Sequence, residues 1–344
     1  VRDAMREQYD GRALPYTAAL GLPELRRAIA DFYHERHHVD IDPRRIVITA
    51  GGSAALLLAT ALTVDPGDEV IVADPSYPCN RELIRSFEGV VVDVPTSAAT
   101  RFHLNAELVD RAWSERTKAV MVTSPSNPTG TTIDFDVLKG VCDLARFRGA
   151  WRIIDETYLD LADREPDGSE VRSALLADPD AIICNSFSKF FGMTGWRLGY
   201  AACSEEIVKT VNKLHQHVVT CASSFVQKAG VVALKEEKNE VADMVKEYQR
   251  RRDYAVKAIN EIDGLSCRCP KGAFYIFINI EKLGMSGQEF APLLLENAKV
   301  AMVPGDVFGS EGDHYIRMSF ANSYENIVEG CKRLKEFVEK LRSN

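Results

Sequence analysis

One lysine stands out chemically in the stretch from Ser186 to Tyr200. Lys189 lies among small hydroxyl residues, aromatic residues and glycines, and Arg197 follows it eight positions later. A lysine amine is nucleophilic only when it is neutral, so it needs burial or a neighbouring cation to lower its pKa. The aromatic residues offer burial, and the hydroxyls and Arg197 offer ligands for a phosphate. An ordinary loop with a surface lysine fits this stretch equally well, so other motifs must decide.

A second motif is the glycine-rich turn formed by Gly51, Gly52, Ser53 and Ala54, between an apolar strand and an apolar helix. Glycines let the backbone approach an anion, and a helix N-terminus supplies N–H groups and the positive end of a dipole. Most glycine-rich turns are only turns, so this motif is weak when taken alone.

Further polar residues follow the ends of other apolar runs. Asp155 ends one run and has Tyr158 three residues later, Asn127 opens the turn Asn-Pro-Thr-Gly, and Tyr77 follows a third run. A carboxylate at a strand end favours function, although helix capping also explains it. Asn127 alone fits a simple turn. Tyr77 fits either ordinary packing or stacking on a flat ligand.

Short apolar runs alternate with helical segments over the first 203 residues, which predicts an α/β domain with a mostly parallel sheet. The polar motifs follow the carboxyl ends of these strands, where open α/β sheets bind ligands. The predicted strands are 46–49, 69–73, 89–94, 119–123, 151–154, 181–184 and 198–203.

The pattern changes near a long predicted helix at 236–262. We expect a large domain over residues 1–254 and a smaller α+β domain over residues 255–344. The smaller domain is expected to contain strands 273–278 and 315–319 and helices 287–298 and 327–341.

Composition narrows the class of protein. The 344 residues carry a net charge of −8, which argues against a nucleic-acid surface, and no apolar run is long enough to cross a membrane. No signal-peptide pattern opens the sequence. The eight cysteines are scattered, and only Cys267 and Cys269 are close together, so we expect reduced thiols in the cytoplasm and no metal site.

In combination, these motifs closely resemble the class I/II aminotransferases, which are pyridoxal-phosphate enzymes of fold type I. The resemblance extends from Tyr16 to Arg317. It implies a large domain with a mostly parallel seven-stranded sheet, a homodimer with shared active sites, and pyridoxal 5'-phosphate as cofactor. The motifs that match in order and spacing are Asn127-Pro-Thr-Gly, Asp155-x-x-Tyr158, Ser186-x-Ser-Lys189 and Arg197.

The resemblance implies roles at the cofactor ring. Lys189 matches the lysine that holds the cofactor as a Schiff base and then transfers the substrate proton. Asp155 matches the carboxylate that keeps the pyridine nitrogen protonated, so that the ring acts as an electron sink. Tyr158 and Asn127 match the groups that bind the phenolic oxygen of the ring, and Tyr77 matches the aromatic residue that stacks on it.

The resemblance also implies the anion sites. Tyr16 matches a tyrosine that reaches the phosphate in the partner subunit. Arg317 matches the arginine that binds the substrate α-carboxylate, with Asn127 beside it. The residues expected around the cofactor phosphate are Gly52, Ser53, Ala54, Ser186, Ser188 and Arg197.

The expected reaction transfers an amino group from an L-amino acid to a 2-oxo acid, with 2-oxoglutarate as the expected acceptor, by a ping-pong Schiff-base mechanism. A pyridoxal-phosphate β-lyase acting on sulfur amino acids is the nearest alternative. A cofactor-sensing regulator would need a DNA-binding extension, and no basic helix-turn-helix pattern appears in these residues. An inactive or chimeric relative is a third alternative. The family has a further N-terminal segment that we expect to be missing before Val1.

Overall fold

Seven strands form the large sheet of the computed structural model, which describes residues 1–9, 13–165, 168–236 and 238–343. Their order across the sheet is β1-β7-β6-β5-β4-β2-β3, and β7 alone runs against the other six. The strands are β1 (Ile46–Thr49), β2 (Glu69–Asp74), β3 (Val90–Pro95), β4 (Thr117–Thr123), β5 (Trp151–Asp155), β6 (Ile182–Ser186) and β7 (Gly199–Ala202).

Both faces of this sheet are covered. Ile46 and Ile48 pack into one core and Val47 packs into the other, because successive side chains of a strand point to opposite faces. Continuous apolar strands of this kind are typical of parallel sheets between helical layers. The helices of this part of the chain are α1 (Arg2–Tyr9), α2 (Pro23–His37), α3 (Gly52–Thr63), α4 (Pro78–Ser86), α5 (Ala106–Arg111), α6 (Phe135–Phe147), α7 (Glu205–Val218) and α8 (Ser224–Glu236).

A second, four-stranded sheet has the order β10-β11-β9-β8 and is antiparallel throughout. Its apolar face packs against the three C-terminal helices in a core of its own. The elements are α9 (Lys238–Asn260), β8 (Ser266–Cys267), β9 (Tyr275–Asn279), α10 (Gly287–Ala298), β10 (Val303–Pro304), β11 (Tyr315–Ser319) and α11 (Tyr324–Ser343).

The predicted fold class is confirmed: the chain is an α/β protein with a mostly parallel seven-stranded sheet between helices. The division at residue 254 stays a prediction, and it falls inside α9. In the N-terminal half of that helix, Val241 packs in a cluster with residues that follow β5 and β6 of the large sheet. In its C-terminal half, Ala255 belongs to the core of the small sheet. Among the described residues, no helix has the length and apolar character needed to cross a membrane.

The topology of the large sheet places the candidate site residues at one of its edges. The six strands that run in the same direction all end there, and the loops that follow them meet. The antiparallel strand β7 begins at this edge, which explains how Arg197, just before β7, reaches the same place as residues that follow β1, β5 and β6.

Candidate active site

A pocket of about 390 Å³ opens at this edge, between the large sheet and the small sheet. It brings together most of the residues that the sequence singled out. The predicted site residues that line it are Gly52, Ser53, Tyr77, Asn127, Asp155, Tyr158, Ser186, Ser188, Lys189, Arg197 and Arg317.

Two predicted residues lie elsewhere. The backbone N–H of Ala54 donates to the carbonyl of Gly51 at 3.2 Å, so this amide is already used inside the first turn of α3. Tyr16 does not line the pocket of its own chain and is 84% exposed. Its role toward a partner subunit stays a prediction.

One end of the pocket is built to hold an anion. Helix α3 begins at Gly52, and the first backbone bonds of its first turn come from the N–H groups of Ala54 and Ala55. Within the described residues, the N–H groups of Gly52 and Ser53 are thus left for a ligand. Gly51 has a φ of +94°, and a Cβ there would lie 2.4 Å from Nη2 of Arg197. The guanidinium therefore occupies the space that a side chain at Gly51 would fill. Arg197 itself adopts a left-handed conformation with φ +52°, which is uncommon for a non-glycine residue.

The described residues give this guanidinium no carboxylate partner. Arg197 donates from Nη1 to the carbonyl of Thr194 at 2.9 Å, and it forms no ion pair with any residue that the structure describes. The hydroxyl of Ser186 donates to the carbonyl of Leu198 at 3.3 Å and accepts from the N–H of Ser188 at 3.1 Å, so the serine loop is held beside the helix end. An exposed cation beside free helix amides fits a phosphate dianion.

Lys189 lies in the middle of the pocket and is half-buried. Its loop is closed by the N–H of Phe187, which donates to Leu198 at 3.1 Å, and by the N–H of Met193, which donates to Phe187 at 3.2 Å. Burial lowers the pKa of the Lys189 amine, and the nearby Arg197 and Arg317 lower it further. These are the conditions for a nucleophilic amine that the sequence predicted.

Asp155 forms the floor of the pocket at the end of β5. The carboxylate is 5% exposed and accepts from the N–H of Thr157 at 2.9 Å. Burial raises its pKa, while the bond from Thr157 and the charge of Lys189 oppose the increase. A buried carboxylate bound by a single neighbouring residue has capacity for a further cationic N–H, such as that of a protonated heteroaromatic ring.

The opposite end of the pocket carries a second arginine. Arg317, on β11 of the small sheet, donates from Nη1 to Oδ1 of Asn127 at 2.8 Å. Its Cζ lies 4.3 Å from the ring centre of Tyr275 and 4.8 Å from that of Phe308. Its Nε is buried without a partner in the described part of the chain, and burial lowers its pKa. A half-buried guanidinium without a counter-charge favours an anionic ligand.

Sequence reasoning missed several pocket residues, of which Tyr275 is the most informative. Its hydroxyl lies 2.9 Å from the hydroxyl of Tyr158, so it joins the predicted cofactor tyrosine to the neighbourhood of Arg317. The sequence feature that could have indicated Tyr275 is the Phe-Tyr pair within the predicted strand 273–278, but such a pair is also typical of ordinary strand packing. The other pocket residues that the sequence did not single out are Leu56, Thr123, Thr157 and Thr194.

The residues present fit pyridoxal phosphate. The uncapped end of α3 and the unpaired Arg197 suit its phosphate, Lys189 suits its aldehyde, Asp155 suits its pyridine nitrogen, and Tyr77 contributes an aromatic side chain to the same pocket. The fold and pocket together define a lysine-centred, anion-binding enzyme of the α/β class.

Comparison with known proteins agrees with this class. A family model described as aminotransferase class I and II matches residues 1–334. The chain is 35% identical over 341 residues to the aspartate aminotransferase of Pyrococcus horikoshii, covering 98% of this chain and 87% of that protein. It is 38% identical over 329 residues to a (5-formylfuran-3-yl)methyl phosphate transaminase of Methanocaldococcus jannaschii, covering 94% and 84%.

Solved structures show the same relationship. The crystal structure of an aromatic aminotransferase from Pyrococcus horikoshii superposes with a TM-score of 0.93 at 33% identity, covering 99% of this chain and 92% of that one. The chain therefore belongs to the class I and II aminotransferase family, and it is an aminotransferase. The names of these relatives differ in the substrate that they state, so they do not select an amino donor.

Proposed function

We propose that this aminotransferase binds pyridoxal 5'-phosphate at Lys189 and transfers the amino group of an L-amino acid to 2-oxoglutarate in two half-reactions. One observation carries the proposal: Lys189 shares a single pocket with two arginines that lack carboxylate partners among the described residues. One cation suits the cofactor phosphate and the other suits the substrate carboxylate. When bound, the cofactor supplies an electron sink for the electron pair left as the Cα–H bond breaks.

Each side chain has a separate task in this proposal. Arg197 and the first turn of α3 bind the phosphate. Burial lowers the pKa of Lys189 and so increases the neutral fraction of its amine, which can attach the cofactor and later accept the α-proton. Asp155 holds the protonated ring nitrogen. Arg317 binds the α-carboxylate and so orients the Cα–H bond toward the lysine.

The proposal includes a homodimer, in which Tyr16 of each chain serves the site of the other. The exposure of Tyr16 and its absence from its own pocket support this arrangement. We also place the enzyme in the cytoplasm, because all eight cysteines are free thiols, which is typical of a reducing compartment.

Reductive trapping tests the cofactor assignment. Borohydride treatment of the protein loaded with pyridoxal phosphate, followed by peptide mass spectrometry, should find the cofactor on Lys189. Lys189→Ala should retain reversible cofactor binding but lose both trapping and turnover. Lys139→Ala is the matched control, because that lysine is exposed and pairs with Asp143, and it should behave as wild type. Trapping on another lysine would contradict the assignment.

A panel of L-amino acids with 2-oxoglutarate tests the reaction. Formation of glutamate and the corresponding 2-oxo acid, without ammonia, is the expected result. Release of ammonia, pyruvate and a thiol from sulfur amino acids would show a β-lyase instead.

A further inference from the structure

Residues 308–311, here called the latch segment, belong to the small-sheet side of the pocket but bind the large sheet through Asp74. This carboxylate ends β2 and is 3% exposed. Its Oδ2 accepts from the N–H of Ser310 at 3.0 Å and from the hydroxyl of Ser310 at 2.9 Å, and its Oδ1 lies 3.4 Å from the N–H of Glu311.

Arg81 holds the same segment from α4. Its Nη1 donates to the carbonyl of Phe308 at 2.9 Å and to the hydroxyl of Ser76 at 3.0 Å, and its Nη2 lies 3.6 Å from Oδ1 of Asp74. The N–H of Ser76 donates to the same Phe308 carbonyl at 2.8 Å. Arg81 is 7% exposed, so this is a buried ion pair. Asp74 and Nη1 of Arg81 bind the latch segment, whereas Nε and Nη2 of Arg81 donate to Asp93 and to the carbonyl of Ala73.

The contact requires glycine at position 309. Gly309 has a φ of +135°, and a Cβ there would lie 1.8 Å from Oδ1 of Asp74 and 2.9 Å from Nη2 of Arg81. No side chain fits between the segment and the ion pair. A buried pair of this kind adds little net stability relative to apolar residues, but it can specify one arrangement of the parts that it joins.

The parts that this ion pair joins carry the two ends of the pocket. The ring of Phe308, which is 2% exposed, lies 4.8 Å from Cζ of Arg317, and Ser76 immediately precedes Tyr77. We propose that Asp74 and Arg81 are positioning residues: by fixing the latch segment they set the place of Phe308, and through it the Arg317 guanidinium, relative to Tyr77 and the cofactor side of the pocket. This inference rests on the proposed function of Arg317 as the carboxylate ligand.

Asp74→Asn tests the proposal, with Asp93→Asn as its matched control. Asp93 also binds Arg81, with 2.6 Å between Nε and Oδ1, but it has no bond to the latch segment. Both variants remove one negative charge beside the Arg81 guanidinium, but only Asp74→Asn removes bonds to the latch segment. Donors L-aspartate, L-glutamate and L-phenylalanine, each with 2-oxoglutarate, provide the kinetic probes.

The expected result is a rise in KM of about tenfold for both the donor and 2-oxoglutarate in Asp74→Asn, with kcat changed by no more than about twofold, since both substrates carry the α-carboxylate. Asp93→Asn should keep both constants within about twofold of wild type. In an Arg317→Lys background, Asp74→Asn should add little further, because residues that act through one group are not additive.

Hydrogen exchange provides a readout that is independent of activity. In the cofactor-free protein, the Ser310 amide should exchange faster in Asp74→Asn than in wild type or Asp93→Asn. Unchanged KM values, or a fall in kcat alone, would overturn the positioning role, as would full additivity with Arg317→Lys. If Asp74→Asn does not fold, Ser310→Ala, which removes only one donor to the carboxylate, carries the same comparison. A wild-type protein without aminotransferase activity would instead refute the proposed function.

Discussion

Asp155 and Glu156 are adjacent buried carboxylates whose surroundings differ completely. Glu156 accepts from the hydroxyl of Ser173 at 3.0 Å, from the N–H of Ala174 at 2.6 Å and from the hydroxyl of Tyr33 at 3.2 Å, all on the side away from the pocket. Asp155 faces the pocket with one backbone donor, from Thr157. Glu156 is thus satisfied by the fold, whereas Asp155 is left to a ligand.

This difference predicts a gain of stability at the expense of function in Asp155→Asn. Burial raises the pKa of Asp155 above its ordinary value near 3.8. Between these two pKa values the folded protein binds more protons than the unfolded chain, so the free energy of unfolding falls as pH rises through the raised pKa. Without cofactor, Asp155→Asn should therefore be more stable than wild type at pH 7, on the order of 1 kcal/mol, as is usual for stabilising changes at functional sites. The advantage should shrink toward pH 4. Urea unfolding from pH 4 to 8 measures it.

Glu156→Gln is the control for this prediction. Burial raises the pKa of Glu156 as well, but its carboxylate accepts from three donors, and an amide cannot accept at both of its terminal atoms. Glu156→Gln should therefore destabilise the protein at pH 7. An Asp155→Asn variant that is less stable than wild type at pH 7 would contradict the argument from burial.

At the scale of single residues, sequence predicted the polar side chains that follow strand ends, because β-strand direction carries them to one edge. Lys189, Asp155 and Asn127 are such residues. Tyr275 could not be found in this way, because it sits within β9 and its meeting with Tyr158 depends on how the small sheet lies against the large one. The latch between Asp74 and residues 308–311 was missed for the same reason.

Among the elements, α3 carries the most direct prediction. At its N-terminus the guanidinium of Arg197 lies over Gly51, where a Cβ would be 2.4 Å from Nη2. Gly51→Ala should displace the guanidinium and weaken pyridoxal phosphate binding about tenfold or more, the usual effect of losing one charge-assisted hydrogen bond. Absorbance titration of the cofactor-free protein with pyridoxal phosphate measures the dissociation constant.

Gly67→Ala separates this effect from backbone strain. Gly67 also has a positive φ, +86°, but no atom lies within 4 Å of a Cβ placed there. Both variants should lose a similar amount of stability, because both force alanine into a left-handed conformation. Only Gly51→Ala should lose cofactor affinity. Equal affinities in the two variants would mean that Arg197 does not bind the phosphate from its observed position.

Elements with strong local signals were predicted closely. Helix α10 was predicted at 287–298 and spans Gly287–Ala298, where Ser286 and Glu289 form a capping box. The predicted strand 315–319 coincides with β11. Helices α7 and α8 received no individual prediction. The helix predicted at 236–262 corresponds to α9, which spans Lys238–Asn260.

At the scale of the whole molecule, hydrogen bonds to α7 and α8 hold the segment before α2, although Tyr16 on this segment is exposed. The buried Gln227 accepts from the N–H of Leu22 at 2.7 Å and donates to the hydroxyl of Thr17 at 3.1 Å, and Nδ1 of His215 lies 2.8 Å from the carbonyl of Ala19. Tyr16 is therefore presented at a defined place, exposed and away from its own pocket. In the homodimer that we propose, the partner subunit receives this side chain.

Subunit complementation tests this arrangement. Tyr16→Asp places a carboxylate against the cofactor phosphate, so repulsion should empty the site that this tyrosine serves. Lys189→Ala removes the amine that the reaction needs in the pocket of its own chain. Homodimers of either variant should be inactive. A hybrid with one lesion on each chain should regain about half of the wild-type activity per dimer, because one of its two sites then collects both lesions and the other collects neither.

The reciprocal hybrid is the control, with both substitutions on one chain and a wild-type partner. If Tyr16 crosses the interface, each site of this hybrid receives one lesion: one lacks Lys189 and the other meets Asp at position 16, so the hybrid should be inactive. If Tyr16 serves its own chain, the two outcomes exchange, and the hybrid with both substitutions on one chain keeps half of the activity. Differently tagged chains, co-expressed and purified through both tags, allow the two hybrids to be compared at equal cofactor content. Activity in the second hybrid together with inactivity in the first would refute the shared site.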